Sequence, residues 1–178
     1  MSPTRAAAAV RAAPGAIVFT DLAGFTEFTA LRGDEAALAL LSLQERLVRQ
    51  EMGARGRIVK HLGDGLMLWF DDPCDAVRTA LGLLESFERH ASEDELPLWV
   101  RIGLHYGSPA RRGRDLIGHD VNVAARIVDI AAPGEVLLSQ ACAEQAAERL
   151  PGIVFEEVGP VVMKGIPEPI PLYRAHRA

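Results

Sequence analysis

Apolar runs that suit buried strands alternate along this chain with segments whose apolar residues recur at helical spacing. The run "GAIVFTDL" predicts a buried strand, and Asp34 is placed to cap the helix that follows. The apolar residues of that helix recur at 4-3-4 spacing: Ala36, Leu40, Leu43 and Leu47. The stretch "GRIVKHLGDGLMLWF" then predicts a hairpin that turns at Gly63-Asp64-Gly65.

The middle of the chain repeats this alternation. Asp72 and Pro73 suit the start of a helix. Its predicted buried stripe is Val77, Ala80, Leu84 and Phe87. The stretches "PLWVRIGLHYG" and "RDLIG" predict strands, and "HDVNVAARIVDIA" predicts a helix that ends before Pro133-Gly134. The predicted core residues of that helix are Val123, Ile127 and Ile130.

The last part of the chain predicts more strands than helices. "EVLLS" predicts a strand, "QACAEQAAERL" a short helix, and "GIVFEEVGPVVMKGIPEPIPLYRA" paired strands with turns marked by proline. Because hairpins pair their strands antiparallel, the sheet cannot be entirely parallel. The whole pattern predicts an α+β fold in which helices cover a mixed, mainly antiparallel sheet.

Length and composition are those of one globular domain. The chain has 178 residues, of which 49% are hydrophobic and 24% are charged. The formal net charge of −5 argues against a nucleic-acid-binding surface spread over the fold, but it allows a local basic site. We interpret the alanine-rich residues 1–14 as a flexible tail or linker remnant, and residues 15–178 as the domain.

Cysteine count and hydropathy favour a cytoplasmic location. Cys74 and Cys142 are too few for a disulfide framework or a metal cluster, which indicates two reduced thiols. No apolar run approaches the roughly 20 residues that are needed to span a bilayer. Both observations are also compatible with a domain of a longer or membrane-tethered protein.

Two aspartates stand at predicted strand ends beside glycines. Either one can be a turn residue that bonds its own backbone, which is the commoner role of an isolated Asp-Gly. Either one can also be a ligand of Mg²⁺, which is usually held by one or two carboxylates together with substrate phosphates. The turn interpretation is favoured for Asp64, whereas a functional role is favoured for Asp21 because it ends a hydrophobic strand.

Small, amide and cationic residues form the other candidates. The stretch "AGFTEF" is either a plain strand-to-helix connection or a turn whose backbone at Gly24 approaches phosphate oxygens. Asn122 and Arg126 share one helix face, which is either solvated or holds a phosphoryl group. Lys164 taken alone is a surface lysine. Lys60 lies within a predicted strand, so its charge must extend to solvent or find a partner.

Four separated motifs together carry a resemblance to a known family. "FTDLAGFT", "VKHLGDGLML", "RDLIGHDVNVAARI" and "VVMKGIPEPIPLYR" resemble the class III nucleotidyl cyclase catalytic domain, in the same order and at compatible separations. The resemblance covers residues from about 15 to about 175 and is strongest to bacterial adenylate cyclases. It implies the ferredoxin-like core of that family and the conversion of ATP to 3′,5′-cyclic AMP and pyrophosphate.

The resemblance also implies roles for the candidate residues that surround metal and phosphate. The groups that would hold two divalent cations, Mg²⁺ or Mn²⁺, are Asp21, Asp64 and the carbonyl of Leu22. The groups that would contact the outer phosphates are the backbone of Gly24, Phe25 and Thr26 and the side chain of Lys164. The cations would lower the pKa of the attacking ribose hydroxyl and neutralise the developing charge.

The resemblance assigns the nucleoside and the α-phosphate to a second group of residues. Lys60 and Asp115 would read the adenine edge, Asn122 would position the ribose, and Arg126 would stabilise charge on the α-phosphate. In similar enzymes the metal-binding aspartates come from one subunit, and this second group comes from the other together with the lysine matching Lys164. The implied assembly is therefore a homodimer that binds ATP at its interface and can form on substrate binding.

One departure from the family leaves a residue unassigned. Many relatives have a longer arm where this chain has only "SPARRGR". The further arginine that some relatives supply from that arm is Arg111, Arg112 or Arg114 in this sequence, and all three remain open. His61 and His105 have no metal-like spacing with His119, and we interpret all three as structural.

Two alternatives compete with an adenylate cyclase. Relatives that use GTP usually carry glutamate at the position of Lys60 and a smaller or uncharged residue at that of Asp115, so this pair favours ATP over GTP or a pyrimidine nucleotide. The second alternative is a non-catalytic nucleotide-sensing or dimerisation module. Such degenerate members lose a metal aspartate or the Asn/Arg pair, and this sequence retains both.

Overall fold

A computed structural model describes residues 9–94 and 99–178 of the chain. Residues 1–8 of the predicted tail lie outside the described residues. The helices are α1 (Phe25–Arg32), α2 (Asp34–Met52), α3 (Pro73–Asp94), α4 (His119–Ile130) and α5 (Gln140–Ala146), with a 3₁₀ turn at Ala147–Arg149. The strands are β1 (Gly15–Ala23), β2 (Gly56–Leu62), β3 (Gly65–Phe70), β4 (Trp99–Gly107), β5 (Ala110–Arg112), β6 (Asp115–Ile117), β7 (Val136–Ser139), β8 (Ile153–Val161) and β9 (Ile170–Arg177).

Seven of these strands form one sheet in the order β2-β3-β1-β4-β7-β9-β8. β4 and β7 pair parallel, and the other neighbours in the sheet pair antiparallel. β5 and β6 form a separate antiparallel ribbon. Residues 10–12 run beside this ribbon, since the amide of Arg111 donates to the carbonyl of Val10 over 2.7 Å. The predicted α+β fold with a mixed, mainly antiparallel sheet is confirmed.

The two faces of the sheet are covered differently. On one face, residues such as Val18, Leu68 and Ile102 are buried together with apolar residues of α2, α3 and α5. On the other face, α4 and β6 pack against the alternate residues of β1 and β3, among them Phe19 and Met67. Asp21 on β1 and Lys60 on β2 both lie at strand positions of this second face.

Of the two helix caps that the sequence predicted, one is confirmed and one is wrong. Asp72 is confirmed as a cap, because its Oδ1 accepts a hydrogen bond from the amide of Cys74 over 2.9 Å. Asp34 is wrong as a cap. Gly33 occupies the cap position, no side chain bonds the free amides, and Asp34 is the first helical residue. Its negative charge still lies in the first turn, where the helix dipole favours it.

Four residues that the helical spacing predicted to be in the core are only partly buried or exposed, namely Ala36, Leu43, Leu84 and Ile130. In α2 the buried face includes Ala37 and Gln44 in place of Ala36 and Leu43. The polar Gln44 is buried there because its amide nitrogen lies 3.4 Å from the hydroxyl of Thr20 on β1. Ile130 is 41% exposed because α4 ends there, beyond the part of the helix that the sheet covers.

Candidate active site

The two aspartates come together where β1 meets the β2–β3 hairpin. Asp64 lies in a two-residue turn, since Leu62 pairs directly with Gly65. The ladder that pairs Thr20 with Leu66 brings this turn beside Asp21. A β-carbon on Gly65 would lie 2.3 Å from the carbonyl oxygen of Thr20. Only glycine allows the hairpin to approach β1 this closely, so the backbone itself sets the spacing of the carboxylates.

Charge repulsion and burial both act on this pair of carboxylates. Burial raises the pKa of Asp64 above its usual range, and the nearby negative charge of Asp21 raises it further. A cation between the two side chains would relieve that repulsion. Carboxylate oxygens are ligands that Mg²⁺ and Mn²⁺ prefer. The described residues contain no group of three or more His, Cys, Asp or Glu that could hold a metal ion. A cation at these two carboxylates would therefore take further oxygen ligands from water or substrate.

Arg101 on β4 was missed by the sequence reasoning and belongs to this site. It faces Asp21 across the ladder, and its Nε and Nη2 lie 2.7 Å and 2.5 Å from Asp21 Oδ2. Its Nη1 also donates to the backbone carbonyl of Asp129 in α4 over 3.3 Å. An arginine inside the apolar strand "WVRIG" needs a carboxylate partner, and that requirement was the available signal.

The turn after β1 presents backbone amides. Gly24 has a positive φ of 79° and stands at the cap position of α1, where no side chain bonds the free amides. Phe25 packs against the core and fixes the start of the helix, whereas Thr26 is exposed. Leu22 is buried on the opposite face of β1 and holds the strand in place. The free amides at the start of α1 therefore lie close to Asp21 in the chain, and they can donate hydrogen bonds to an anionic ligand.

Lys60 and Asp115 form an ion pair although 55 residues separate them. Lys60 Nζ lies 3.0 Å from Oδ1 and 3.1 Å from Oδ2 of Asp115. The amide of Leu116 also donates to Oδ1, and the hydrogen bond from Lys60 holds the pKa of Asp115 below its usual range. Both side chains are more than a third exposed, so a ligand can reach them. The lysine thus finds the partner that its position in a strand required.

Helix α4 carries Asn122 and Arg126 beside its buried face. Asn122 is exposed, and Arg126 pairs with Asp129 at 3.1 Å. Asp120 fixes the start of the helix: its two oxygens lie 3.3 Å from His105 Nε2 and 2.9 Å from the amide of Ser108.

His105 on β4 is buried and contacts Ser139 of β7 and Asp120 of α4. Its Nδ1 lies 2.8 Å from the buried hydroxyl of Ser139, and burial lowers its pKa. The hydroxyl of Ser139 in turn accepts the amide of Cys142 at the start of α5. This chain of bonds ties two helices to the sheet, which gives His105 a structural role.

Lys164 is exposed on the turn between β8 and β9. Its neighbours Met163 and Ile166 are buried in a cluster that also contains Val123 and Ile127 of α4. The loop is therefore anchored to the same helix that carries Asn122 and Arg126. In the described part of the chain, no hydrogen bond or ion pair joins Lys164 to either Asp21 or Asp64.

Comparison with known proteins places the chain in one family. The family described as adenylate and guanylate cyclase catalytic domain matches residues 9–176. An adenylate cyclase from Streptomyces coelicolor is 35% identical over 131 residues, which are 73% of this chain and 33% of that protein. An uncharacterized protein from Mycobacterium tuberculosis is 34% identical over 161 residues, which are 90% of this chain and 40% of that protein. The chain thus spans well under half the length of these relatives.

A solved structure supports the fold. The adenylyl cyclase CyaB from P. aeruginosa superposes with a TM-score of 0.79 at 24% identity, and the match covers 93% of this chain and 94% of that one. In the described ranges 9–94 and 99–178, no helix combines the length and the apolar character that crossing a membrane requires.

Proposed function

The chain belongs to the family of adenylate and guanylate cyclase catalytic domains, and from that membership we propose that it converts ATP to 3′,5′-cyclic AMP and pyrophosphate. In this reaction the ribose 3′-oxygen forms a bond to the α-phosphorus. The bond between that phosphorus and the bridging oxygen to the β-phosphorus breaks, and the hydroxyl proton passes to solvent. A cytoplasmic location would give the site access to ATP.

The observation that carries the choice of ATP is the Lys60–Asp115 ion pair. Adenine presents an acceptor, N1, next to a donor, the 6-amino group. Lys60 is a donor only and ionised Asp115 is an acceptor only, so the two match this edge. Guanine presents an acceptor next to two donors, and a lysine facing that donor-rich edge would leave buried donors unpaired.

The chain's own residues would hold the triphosphate as the family resemblance predicts. Asp21, Asp64 and the Leu22 carbonyl would bind two divalent cations, Mg²⁺ or Mn²⁺, which when bound acidify the 3′-hydroxyl and neutralise phosphate charge. The outer phosphates would lie on the Gly24–Thr26 backbone and Lys164. Arg101 would have to share Asp21 with the cation.

The nucleoside side of the site would use α4. Asn122 would fix the ribose, so that its 3′-oxygen faces the α-phosphorus in line. Arg126 would exchange its exposed partner Asp129 for the α-phosphate, where negative charge develops. The Asp129 pair is an exposed i,i+3 contact, so breaking it costs little.

We infer that the working unit is a homodimer with two equivalent sites. One subunit would supply the aspartates, and its partner would supply Lys60, Asp115, Asn122, Arg126 and Lys164. Because the substrate would bridge the subunits, ATP binding would favour the dimer by mass action.

The direct test is product analysis. The purified chain is incubated with ATP, GTP, CTP or UTP in the presence of Mg²⁺ or Mn²⁺, and the products are identified by mass spectrometry. We expect cyclic AMP and pyrophosphate from ATP at a rate above that of the other nucleotides. Cyclic GMP as the dominant product would overturn the base assignment, and the absence of any cyclic product would overturn the proposed activity.

A further inference from the structure

A second charged cleft lies at the other end of the β2–β3 hairpin. It measures about 280 Å³ and is lined by residues 54–57, Trp69, Asp71 and Arg111. Strand β2 has seven residues, and the aspartate turn follows its last residue. At about 3.3 Å per residue the cleft lies about 20 Å from that turn. None of the residues assigned above to the nucleotide site lines it, and of the three arginines left open for the arm only Arg111 does.

Three arginines from two segments of the chain line this cleft: Arg55 and Arg57 around the start of β2, and Arg111 on β5. One carboxylate, Asp71, lines it with them, and Asp71 Oδ1 already accepts the indole N–H of Trp69 over 2.8 Å. The lining therefore carries an excess of positive charge in a chain whose formal net charge is −5. Among the described residues, none of the three arginines lies within salt-bridge distance of a carboxylate.

Two of the guanidinium groups are held in place by neutral partners. Arg57 Nη1 donates to the carbonyl of Arg114 over 3.0 Å. Arg55 donates from Nε to the carbonyl of Met52 over 3.2 Å, and its Nη2 donates to the carbonyl of Glu51. Backbone carbonyls fix the orientation of each fork without neutralising its full charge, and the carboxyl end of α2 offsets part of the charge of Arg55. Each fork also retains N–H donors for a ligand.

We propose that this cleft binds a small phosphate-bearing anion. Planar guanidinium forks match phosphate oxygens in pairs, and preorganised forks lose little entropy on binding. The volume admits a phosphoryl group with a small remainder and lies below the usual range for larger ligands. Residues 10–12 pair with β5, which carries Arg111, so an occupied cleft would also stabilise the entry of the chain into the domain.

The indole N–H signal of Trp69 can report on binding in the cleft, because Trp69 lines it. The second of the two tryptophans, Trp99 at the start of β4, does not line the cleft and serves as an internal reference. The ¹⁵N-labelled chain is titrated in EDTA with inorganic phosphate, pyrophosphate or AMP, and the two indole N–H signals are followed by NMR. Chloride at matched ionic strength is the control for screening. We expect the Trp69 signal to shift saturably with at least one phosphate compound. The compound with the lowest dissociation constant shows whether the phosphate is taken free or on a nucleoside.

Variants separate this site from general charge effects. Combining Arg57→Gln with Arg111→Gln should weaken binding by about tenfold or more, since charge-assisted hydrogen bonds are lost. Arg112→Gln is the matched control, because it removes the same charge from the next residue of β5, which does not line the cleft. Arg111→Gln alone serves if the double variant does not fold. A shift of Trp69 that is equal in all variants, or that chloride reproduces, would overturn the proposal.

Discussion

Two pairs of charged side chains on the same face of the sheet are built in opposite ways. Asp21 and Asp64 bring like charges together, and the pKa of Asp64 is raised by burial and by its neighbour. Lys60 and Asp115 bring opposite charges together, and the hydrogen bond from Lys60 lowers the pKa of Asp115. The second pair is satisfied within the chain, whereas the first is only partly compensated by Arg101. On the proposed function, the aspartate pair would therefore require an added cation, whereas the lysine–aspartate pair would only exchange partners when a base binds.

The largest effect is expected from breaking the like-charged pair. Asp64→Asn keeps the shape of the side chain but removes the negative charge that would hold the cation, so we expect cyclase activity to fall by about a hundredfold or more. The melting temperature should stay the same or rise, because a repulsive charge is gone. Glu168→Gln, on an exposed turn, is the control for charge loss. Near-normal activity of Asp64→Asn with Mg²⁺ present would show that Asp64 does not bind the metal.

The next effect sharpens the role of the oppositely charged pair. Lys60→Glu combined with Asp115→Gly should lower the rate with ATP and raise the relative rate with GTP, by about tenfold to a hundredfold in the ratio, because donors and acceptors at the base edge are exchanged. The ratio of kcat/KM values for the two nucleotides measures this change. An unchanged ratio would remove these residues from base recognition.

A third prediction asks whether the two pairs act within one chain or across two. Asp21→Ala and Asn122→Ala chains should each be nearly inactive. Mixed after subunit exchange, they should recover about a quarter of wild-type activity, since half the dimers are mixed and each has one intact site of two. Exchange is verified by mass spectrometry of differently labelled chains. Failure to recover despite exchange would mean that each chain builds its site alone.

The smallest effect concerns stability. The folded-state pKa of Asp115 is lowered, so its contribution to stability is present above the unfolded pKa and is lost as the pH falls through the lowered value. Because the pair is largely exposed, Asp115→Asn should cost less than about 1 kcal/mol at pH 7. Urea unfolding of both proteins at pH 7 and near pH 3 measures the difference. We expect the gap to shrink at the acidic pH, and a gap that widens there would contradict the assignment.

Local patterns predicted the elements better than they predicted the contacts between them. The hairpin turn and the Asp72 cap depend on residues within a few positions of each other, so the sequence shows them directly. The buried face of α2 was predicted one position off at Ala36. Gln44 is buried through a bond to Thr20 on β1, and a hydrophobic pattern cannot register that bond.

The candidate site shows the same division. The hydrophobic pattern of the sequence marked Asp21 as unusual because a carboxylate ends an apolar strand. Lys60 and Asp115 could be assigned to one site only through the family resemblance, because their contact depends on how the β5–β6 ribbon lies over β2. Arg101 was missed since its partner depends on the β1–β4 register, which a single strand does not specify. The register of neighbouring strands is what the sequence pattern left undetermined.

The close approach of Gly65 to the Thr20 carbonyl also limits which substitutions the domain can tolerate. Gly65→Ala adds a single methyl group, carries no charge and lies outside every residue proposed to touch the nucleotide. That methyl would meet a backbone oxygen of β1 that has no room to yield. The hairpin would have to move away from β1 and take Asp64 with it, and a displacement of about 1 Å can cost about a hundredfold in rate. A chain that differs at this position alone would look like an intact cyclase by its reactive groups and still be a poor catalyst.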